Sequence, residues 1–309
     1  MIHVIGNATI DTVIRLTRFP LPGETVVAEQ GTAEDLGGKG ANQAVVAARS
    51  GARVRLVAAI GRDEGGRRIR ANLESEGVAT DGLRDWDGAT DRCIIYVDAQ
   101  GENTIVSLID AATAFDPLAI DAGQAIKPLD HVVLQGNLRP QITYDCLITA
   151  RQRKAITVLN PSPTYSAEEY DWSLVDIVLV NSLEAQQLGG CDDPLRAARN
   201  LIQSGAGSVV MTKGAGGATW ITHRRALHAA APAVVSIDTV GAGDVFCGTF
   251  VAGLATGRHG DTALLAATEA ASLAVTRRGV LAAFPSRLEF EAIWARADRP
   301  AVALQEVLS

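Results

Sequence analysis

The chain predicts an α/β fold, a mostly parallel sheet covered by helices, with a small β-sheet appendage. Three observations lead there. Short β-branched runs alternate with helix-like stretches along most of the 309 residues. The runs are continuously apolar rather than alternating, which suits strands buried on both faces. Two segments, 12–30 and 90–108, break the rhythm and are rich in β-formers and turn residues.

Taken in order, Ile2–Ile5 is a strand closed by Gly6. Residues 41–50 are Ala-rich and stop at Gly51, as a helix with a glycine end does. A strand at 54–60 precedes a helix at 64–76, ahead of Gly77. Further strands are expected at 131–134, 155–159, 176–180 and 208–212, with helices at 141–152, 183–188 and 194–204 between them. Residues 233–237 read as one more strand, and 245–256, 262–276 and 287–296 as the closing helices. In the appendage, 93–97 and 103–107 flank Asp98-Ala99-Gln100-Gly101-Glu102 and predict a hairpin, with 25–28 as a third strand. The expected division is therefore a large body from 1–11, 31–89 and 109–309, and a β lid from 12–30 and 90–108. Inserts of this kind often close over a site.

Composition narrows the function. Hydrophobic residues at 47% and charged residues at 20% describe a folded globular chain, not disorder or a coiled coil. A net charge of −7 repels phosphate backbones, and 4 Trp, 4 Tyr and 6 Phe leave no stacking platform, so nucleic acid is not an expected partner. Arg67, Arg68 and Arg70 lie among Asp63, Glu64, Glu74 and Glu76, a solvated mixed-charge face. Cys93, Cys146, Cys191 and Cys247 are far apart, and the histidines form no HxxxH or HExxH pattern. Neither a zinc site nor a disulfide framework is supported. The N-terminus lacks a basic and then apolar leader, and no run of 18 apolar residues occurs, so a soluble cytoplasmic protein without membrane partners is expected.

Five stretches can carry chemistry. Gly37-Gly38-Lys39-Gly40-Ala41-Asn42 opens a helix, where glycines admit a ligand to backbone N–H groups and Lys39 and Asn42 add donors. The spacing fits a tight turn with a solvated lysine equally well, and it is not a GxxxxGK[ST] loop. Asp238-Thr239-Val240-Gly241-Ala242-Gly243-Asp244 precedes an apolar helix. Its glycines can present N–H groups to the charge of a transferring phosphoryl group, with Asp244 in the same first turn; Asp244 as a plain N-cap is the alternative. Asn181-Ser182-Leu183-Glu184 has capping-box spacing, yet it also sets Glu184 at the end of a strand, where it can organise metal-bound water. Thr212-Lys213-Gly214-Ala215-Gly216-Gly217 runs from a strand into a glycine-rich turn that can admit nucleotide phosphates or simply lead to a strand at 218–221. Asp11 follows the first strand and can accept hydrogen bonds from sugar hydroxyls, or sit in a surface turn.

Together these stretches resemble the ribokinase/PfkB carbohydrate kinase family. Gly37-Gly38-Lys39-Gly40-Ala41-Asn42-Gln43-Ala44 is similar to its N-terminal signature and 238–244 to its C-terminal one, in the family's order and spacing. Phe19-Pro20-Leu21-Pro22-Gly23-Glu24-Thr25 and Ala274-Val275-Thr276-Arg277-Arg278-Gly279 resemble the ribokinase branch, and the likeness runs from Ile2 to about Phe290. The resemblance implies a ribokinase-like three-layer α/β/α fold and an ATP-dependent sugar kinase that acts on a primary hydroxyl with Mg²⁺ and K⁺. It implies Asp244 as catalytic base and Gly241, Ala242 and Gly243 as an anion hole. Thr9, Asp11, Gly38, Lys39, Asn42 and Asn137 are implied in sugar binding, and Asn181, Glu184, Thr212, Gly214 and Gly217 in nucleotide binding, Glu184 meeting Mg²⁺ through water. Asp238, Val240, Ala274, Arg277, Gly279 and Ala283 match a monovalent-cation site built mainly of carbonyls, and the lid matches a homodimer contact. Thr9 replaces the usual asparagine and Asn137 stands near the usual sugar-binding glutamate, which leaves the sugar open. A nucleoside kinase of the same family, a kinase for fructose or a sugar acid, and a non-catalytic sugar-binding protein are the alternatives. A nicotinamide dehydrogenase would need a GxGxxG loop that is absent.

Overall fold

The computed structural model describes residues 1–29, 33–100, 103–118, 122–299 and 305–306. Its strands are β1 (Ile2–Ile5), β2 (Thr9–Arg15), β3 (Ala33–Gly37), β4 (Val54–Gly61), β5 (Ala79–Trp86), β6 (Arg92–Val97), β7 (Asn103–Leu108), β8 (His131–Gln135), β9 (Ile156–Asn160), β10 (Ile177–Asn181), β11 (Ser208–Thr212), β12 (Ala218–Thr222), β13 (Ala226–Ala229) and the two-residue β14 (Gln305–Glu306). The helices are α1 (Lys39–Arg49), α2 (Glu64–Ser75), α3 (Asp110–Ala114), α4 (Pro140–Gln152), α5 (Ser182–Gly189), α6 (Pro194–Gln203), α7 (Ala242–Ala255), α8 (Gly260–Ala274) and α9 (Arg287–Ala297).

The large sheet runs β14-β13-β12-β11-β10-β9-β8-β1-β4-β5. From β5 to β11 every neighbour is parallel; β12, β13 and β14 continue it antiparallel. Both faces are buried, which is why the strand runs lack polar alternation. Val4, Leu56, Val133, Val158, Leu179 and Val210 point into one core, beneath α1, α7, α8 and α9. Ile5, Val57, Leu134, Leu159, Val178 and Val209 point into the other, beneath α4, α5 and α6. Two cores on one sheet make the three-layer α/β/α arrangement the resemblance implies. Each buried Val, Leu or Ile contributes roughly 1.5–3 kcal/mol of transfer free energy. Among the described residues no helix is long and apolar enough to cross a membrane.

The small sheet has the order β3-β2-β6-β7. The hairpin stands where the sequence puts it, with Arg92 opposite Leu108 and Val97 opposite Asn103. Its third strand does not. Residues 25–28 make no ladder, and Val27 is 86% exposed. The chain loops out through Pro20 and Pro22, and Arg18 pairs with Glu24 across the loop. A β-branched run without a partner edge gains nothing from extension. The partners of the hairpin are instead β2, parallel to β6, and β3, antiparallel to β2. Both reach outside the expected 12–30 span, so Asp11 lies within a strand and not in a surface turn. Residues 233–237 are likewise no strand; Val235 and Ile237 are exposed, and one main-chain bond, from Ile237 N–H to Val275 O, ties the segment down. The edge strand β5 (ATDGLRDW) and the short β13 (ALHA) escaped the reading because neither carries a long apolar run. Arg67, Arg68 and Arg70 do sit on a mixed-charge face, against Glu64, Glu34 and Asp85 respectively.

One stability prediction arises from β8. His131 is buried, and burial is the main reason its pKa falls from the usual 6.5 to about 4. A base whose folded pKa lies below its unfolded value takes up protons preferentially in the unfolded state between those two values. Its penalty is absent above pH 6.5 and grows as pH falls towards 4, reaching about 3 kcal/mol. His131→Leu is expected to flatten the stability loss between pH 6.5 and 4 in chemical denaturation, and an unchanged slope would refute this assignment.

Candidate active site

Five polar residues stand at the carboxyl ends of the parallel strands, the edge at which open α/β sheets bind ligands. Asn7 follows β1, Gln135 ends β8 beside Asn160 at the end of β9, and Asn181 ends β10 beside Thr212 at the end of β11.

The glycines of 37–40 bring α1 onto this edge. Gly38 has φ +87°, and a Cβ at Gly40 would lie 2.6 Å from the Asn7 carbonyl oxygen. Gly40 N–H donates to Asn7 Oδ1 at 3.2 Å and Ala41 N–H to Asn7 O at 3.0 Å. The close approach is therefore of protein to protein, and two of the helix's first N–H groups are taken. At Gly40 and Ala41, then, the N–H groups expected to face a ligand are given to Asn7 instead. The side chains of the motif do face the site.

Asp244 is buried in the first turn of α7 but does not cap it; Gly241, with φ +78°, holds the N-cap position. Its carboxylate turns inward instead. Oδ2 accepts from Asn42 Nδ2 and Oδ1 from Gln43 Nε2, both at 3.0 Å, and Lys39 Nζ lies 3.9 Å from Oδ1. Asn42 Oδ1 is buried with no partner. Nearby, Thr9 Oγ1 donates to Asp11 Oδ1 at 2.6 Å. Thr9 is fully buried, so its hydroxyl orients Asp11. Gly37 makes room for that carboxylate, since a Cβ there would meet it at 2.0 Å. Burial raises the pKa of Asp11, and the charge of Asp244 pushes the same way. Asn137, beyond β8, is half-buried with its Oδ1 unpartnered.

A cavity of about 490 Å³ opens on the other side of the α7 N-terminus, lined by Thr212, Gly214, Gly217, Thr239, Ala242 and Gly243 among others. The first N–H groups of a helix lack i−4 carbonyl partners and have the helix dipole behind them; at this turn Ala242 N–H already donates to Thr239 O at 3.3 Å, so an anion would meet Gly241 and Gly243 first or displace that bond. A Cβ on Gly243 would touch nothing, which marks open space at this turn. Asn181 and Glu184 form a full capping box: Glu184 N–H donates to Asn181 Oδ1 at 2.8 Å, and Asn181 N–H to Glu184 Oε2 at 2.9 Å. Ser182 Oγ donates to Thr212 O at 3.3 Å, which sets this helix start beside the cavity strand.

The expected cation residues lie on two loops that Asp238 ties together. Its Oδ1 accepts from Val240 N–H at 3.0 Å and its Oδ2 from Gly279 N–H at 3.1 Å. Arg277 turns its guanidinium to Glu289, Ala274 O accepts from Arg277 N–H, and Ala283 is buried in the same turn region. Carboxylate and main-chain carbonyl oxygens are hard donors of the kind an alkali cation would take, although here both Asp238 oxygens and Ala274 O already accept main-chain N–H bonds. No group of three or more His, Cys, Asp or Glu occurs among the described residues.

Four residues of the site lie outside the sequence expectations: Asn7, Gln43, Gln135 and Asn160. Gln135 and Asn160 each end a buried apolar strand run, and that is the signal that points to them.

The profile of the pfkB family carbohydrate kinases matches residues 1–300. The chain is 31% identical over 295 residues to the bifunctional ribokinase/ribose-5-phosphate isomerase A of Fructilactobacillus sanfranciscensis, covering 93% of this chain but only 54% of that protein. It is 30% identical over 299 residues to the deoxyribokinase of Salmonella typhi, covering 94% of this chain and 97% of that one. The structure of Arabidopsis thaliana ribokinase complexed with ribose and ATP superposes with a TM-score of 0.82 at 25% identity, over 95% of this chain and 98% of that chain.

Proposed function

The chain belongs to the pfkB family of carbohydrate kinases, and from that premise we propose that it transfers the γ-phosphoryl group of ATP to the primary hydroxyl of a small sugar, a pentose of the ribose or deoxyribose kind. One observation carries the reading. Gly243 lines the 490 Å³ cavity, while the next residue, Asp244, is held on the other side by Asn42 and Gln43. A single helix turn thus separates a space for nucleotide phosphates from a buried carboxylate among polyol-seeking groups.

The sugar lies between Asp11, Asn42 and Asp244, with its reacting hydroxyl against the Asp244 carboxylate. The γ-phosphoryl oxygens face the N–H groups of Gly241, Ala242 and Gly243. The sugar oxygen bonds to phosphorus as the bond to the β-phosphate oxygen breaks, ADP departs, and the hydroxyl proton passes to Asp244. Because phosphoryl transfer is loose and mostly a matter of positioning, the proton leaves late and a weakly basic carboxylate suffices. Lys39, 3.9 Å from that carboxylate, keeps positive charge beside the developing anion. Mg²⁺, when bound, would neutralise phosphate charge, and Glu184 and Asn181 are the residues that would meet its waters. Asp238 and carbonyls of the 238–240 and 274–283 segments would hold a monovalent cation, which would supply positive charge beside the anion turn. The edge strand β7 leaves Ile105, Val106 and Leu108 exposed, which suits a homodimer formed through the small sheet.

The test is ATP consumption across pentoses, hexoses, sugar acids and nucleosides, with Mg²⁺ and with or without K⁺. The expected result is one strong pentose acceptor with at least a tenfold preference over the rest, and turnover raised by K⁺. Adenosine outrunning ribose would replace this reading with a nucleoside kinase, and bound ATP with no acceptor at all would overturn it.

A further inference from the structure

Behind Asp244 lies a chain of side-chain amides, of which Gln43 and Gln135 are buried and Asn160 is half-buried. Gln43 Nε2 donates to Asp244 Oδ1 and also to Asn160 Oδ1, both at 3.0 Å. Gln43 Oε1 accepts from Gln135 Nε2 at 2.9 Å. Asn160 Nδ2 in turn donates to the carbonyl of Leu179 at 2.9 Å. Gln43 and Gln135 are essentially without solvent exposure. The polarity of the chain is dictated from both ends. A carboxylate only accepts, so the amide nitrogen of Gln43 faces Asp244 and its oxygen faces Gln135. A main-chain carbonyl only accepts, so the nitrogen of Asn160 faces Leu179 and its oxygen faces Gln43. No amide in the chain can be flipped without setting like groups against each other.

The anchor points are rigid. Gln135 and Asn160 are directly paired residues of adjacent parallel strands, and Leu179 belongs to the next one. Gln43 sits in α1, which is pressed against the strand edge through Gly40 and Asn7. We infer that Gln43, held by Gln135 and Asn160, is a positioning residue that fixes the carboxylate of Asp244 to the central sheet. Asn42 alone leaves that carboxylate one hydrogen bond and freedom to rotate about it. Gln43 supplies the second and removes the rotation, so the base stays aligned through the late proton transfer. Buried amides in a low-dielectric chain also polarise one another, which strengthens the bond to the carboxylate. Gln43 needs no contact with sugar or nucleotide to do this.

The inference rests on Asp244 as the base, and the experiment separates the two. Gln43→Met and Gln135→Met are made singly and together in the full-length protein, with Asp244→Asn as the control. Folding is checked by thermal melting, and kcat and KM are measured for the best acceptor and ATP. The expected result for Gln43→Met is a kcat lowered by 30-fold or more with both KM values within about threefold. Gln135→Met should lower kcat about threefold to tenfold, and the double variant should be no slower than Gln43→Met, because the two act as one unit. A folded Gln43→Met protein with unchanged kcat, or one that loses KM instead, overturns the inference. If Gln43→Met does not fold, Gln135→Met decides by the same constants. An active Asp244→Asn protein would instead overturn the assignment of the base and leave the amide chain a purely structural feature.

Discussion

Asp244→Asn is expected to lower kcat by about 10²- to 10⁴-fold, the range for removing a general base, while sugar KM stays within a few-fold. The ground-state contacts of the sugar come also from Asp11 and Asn42, so binding persists when the proton acceptor is gone. The amide adds a second effect. Oδ1 and Oδ2 of Asp244 each accept from an N–H donor, and an asparagine must turn its own NH₂ towards one of them. Leaving a buried donor unsatisfied costs about 1–3 kcal/mol. Thermal melting therefore accompanies the kinetics, measured by a coupled ADP assay under saturating sugar and ATP. Turnover near wild type in a folded protein would remove Asp244 from the reaction.

Gly40→Ala should produce the second large effect, this time through the backbone. The new Cβ would sit 2.6 Å from the carbonyl oxygen and 2.8 Å from the nitrogen of Asn7. Neither atom is the end of a flexible side chain, so α1 must move. Overpacking of this kind costs roughly 1–3 kcal/mol, a fall of about 2–5 °C in Tm for a chain of this size. Lys39, Asn42 and Gln43 move with the helix start, so kcat/KM should fall by at least about tenfold. Gly51→Ala at the other end of α1 is the comparison. Gly51 has φ +94° and open space around it; the strain is local, about 1–2 kcal/mol, and kcat/KM should be unchanged. Equal kinetics for the two variants would show that the packing of α1 on Asn7 does not govern the site.

The alternation of apolar runs and helix-like stretches foretold most of the large body because its inner parallel strands are buried on both faces, and burial leaves a mark on composition. Val4 and Ile5, or Val57 and Ala58, point into opposite cores, and both must be apolar. Helix ends were legible where a local signal existed, as at Gly51 and at the Asn181–Glu184 box. The small sheet was harder. Residues 25–28 and 233–237 have strand composition but find no edge to join, while β5 and β13 are strands because a neighbour accepts them. Strand formation depends on pairing, and pairing is not written in the local run.

The site divides in the same way. The sequence by itself determined the glycine turn before α7, the acidic residue that follows it, the capping box and the polar residues of 37–42, because each is set by neighbours within a few positions. It also determined the family, through two signatures about 200 residues apart. Only the tertiary structure decided that the Asp244 carboxylate leaves its own helix to meet Asn42 and Gln43, that Thr9 serves Asp11, and that Gln135 and Asn160 stand behind the base. Those contacts join residues 117 to 202 positions apart, apart from the Thr9–Asp11 and Gln135–Gln43 bonds, which span 2 and 92. They exist because a parallel sheet brings the ends of successive strands to one edge, where a helix from elsewhere in the chain can meet them.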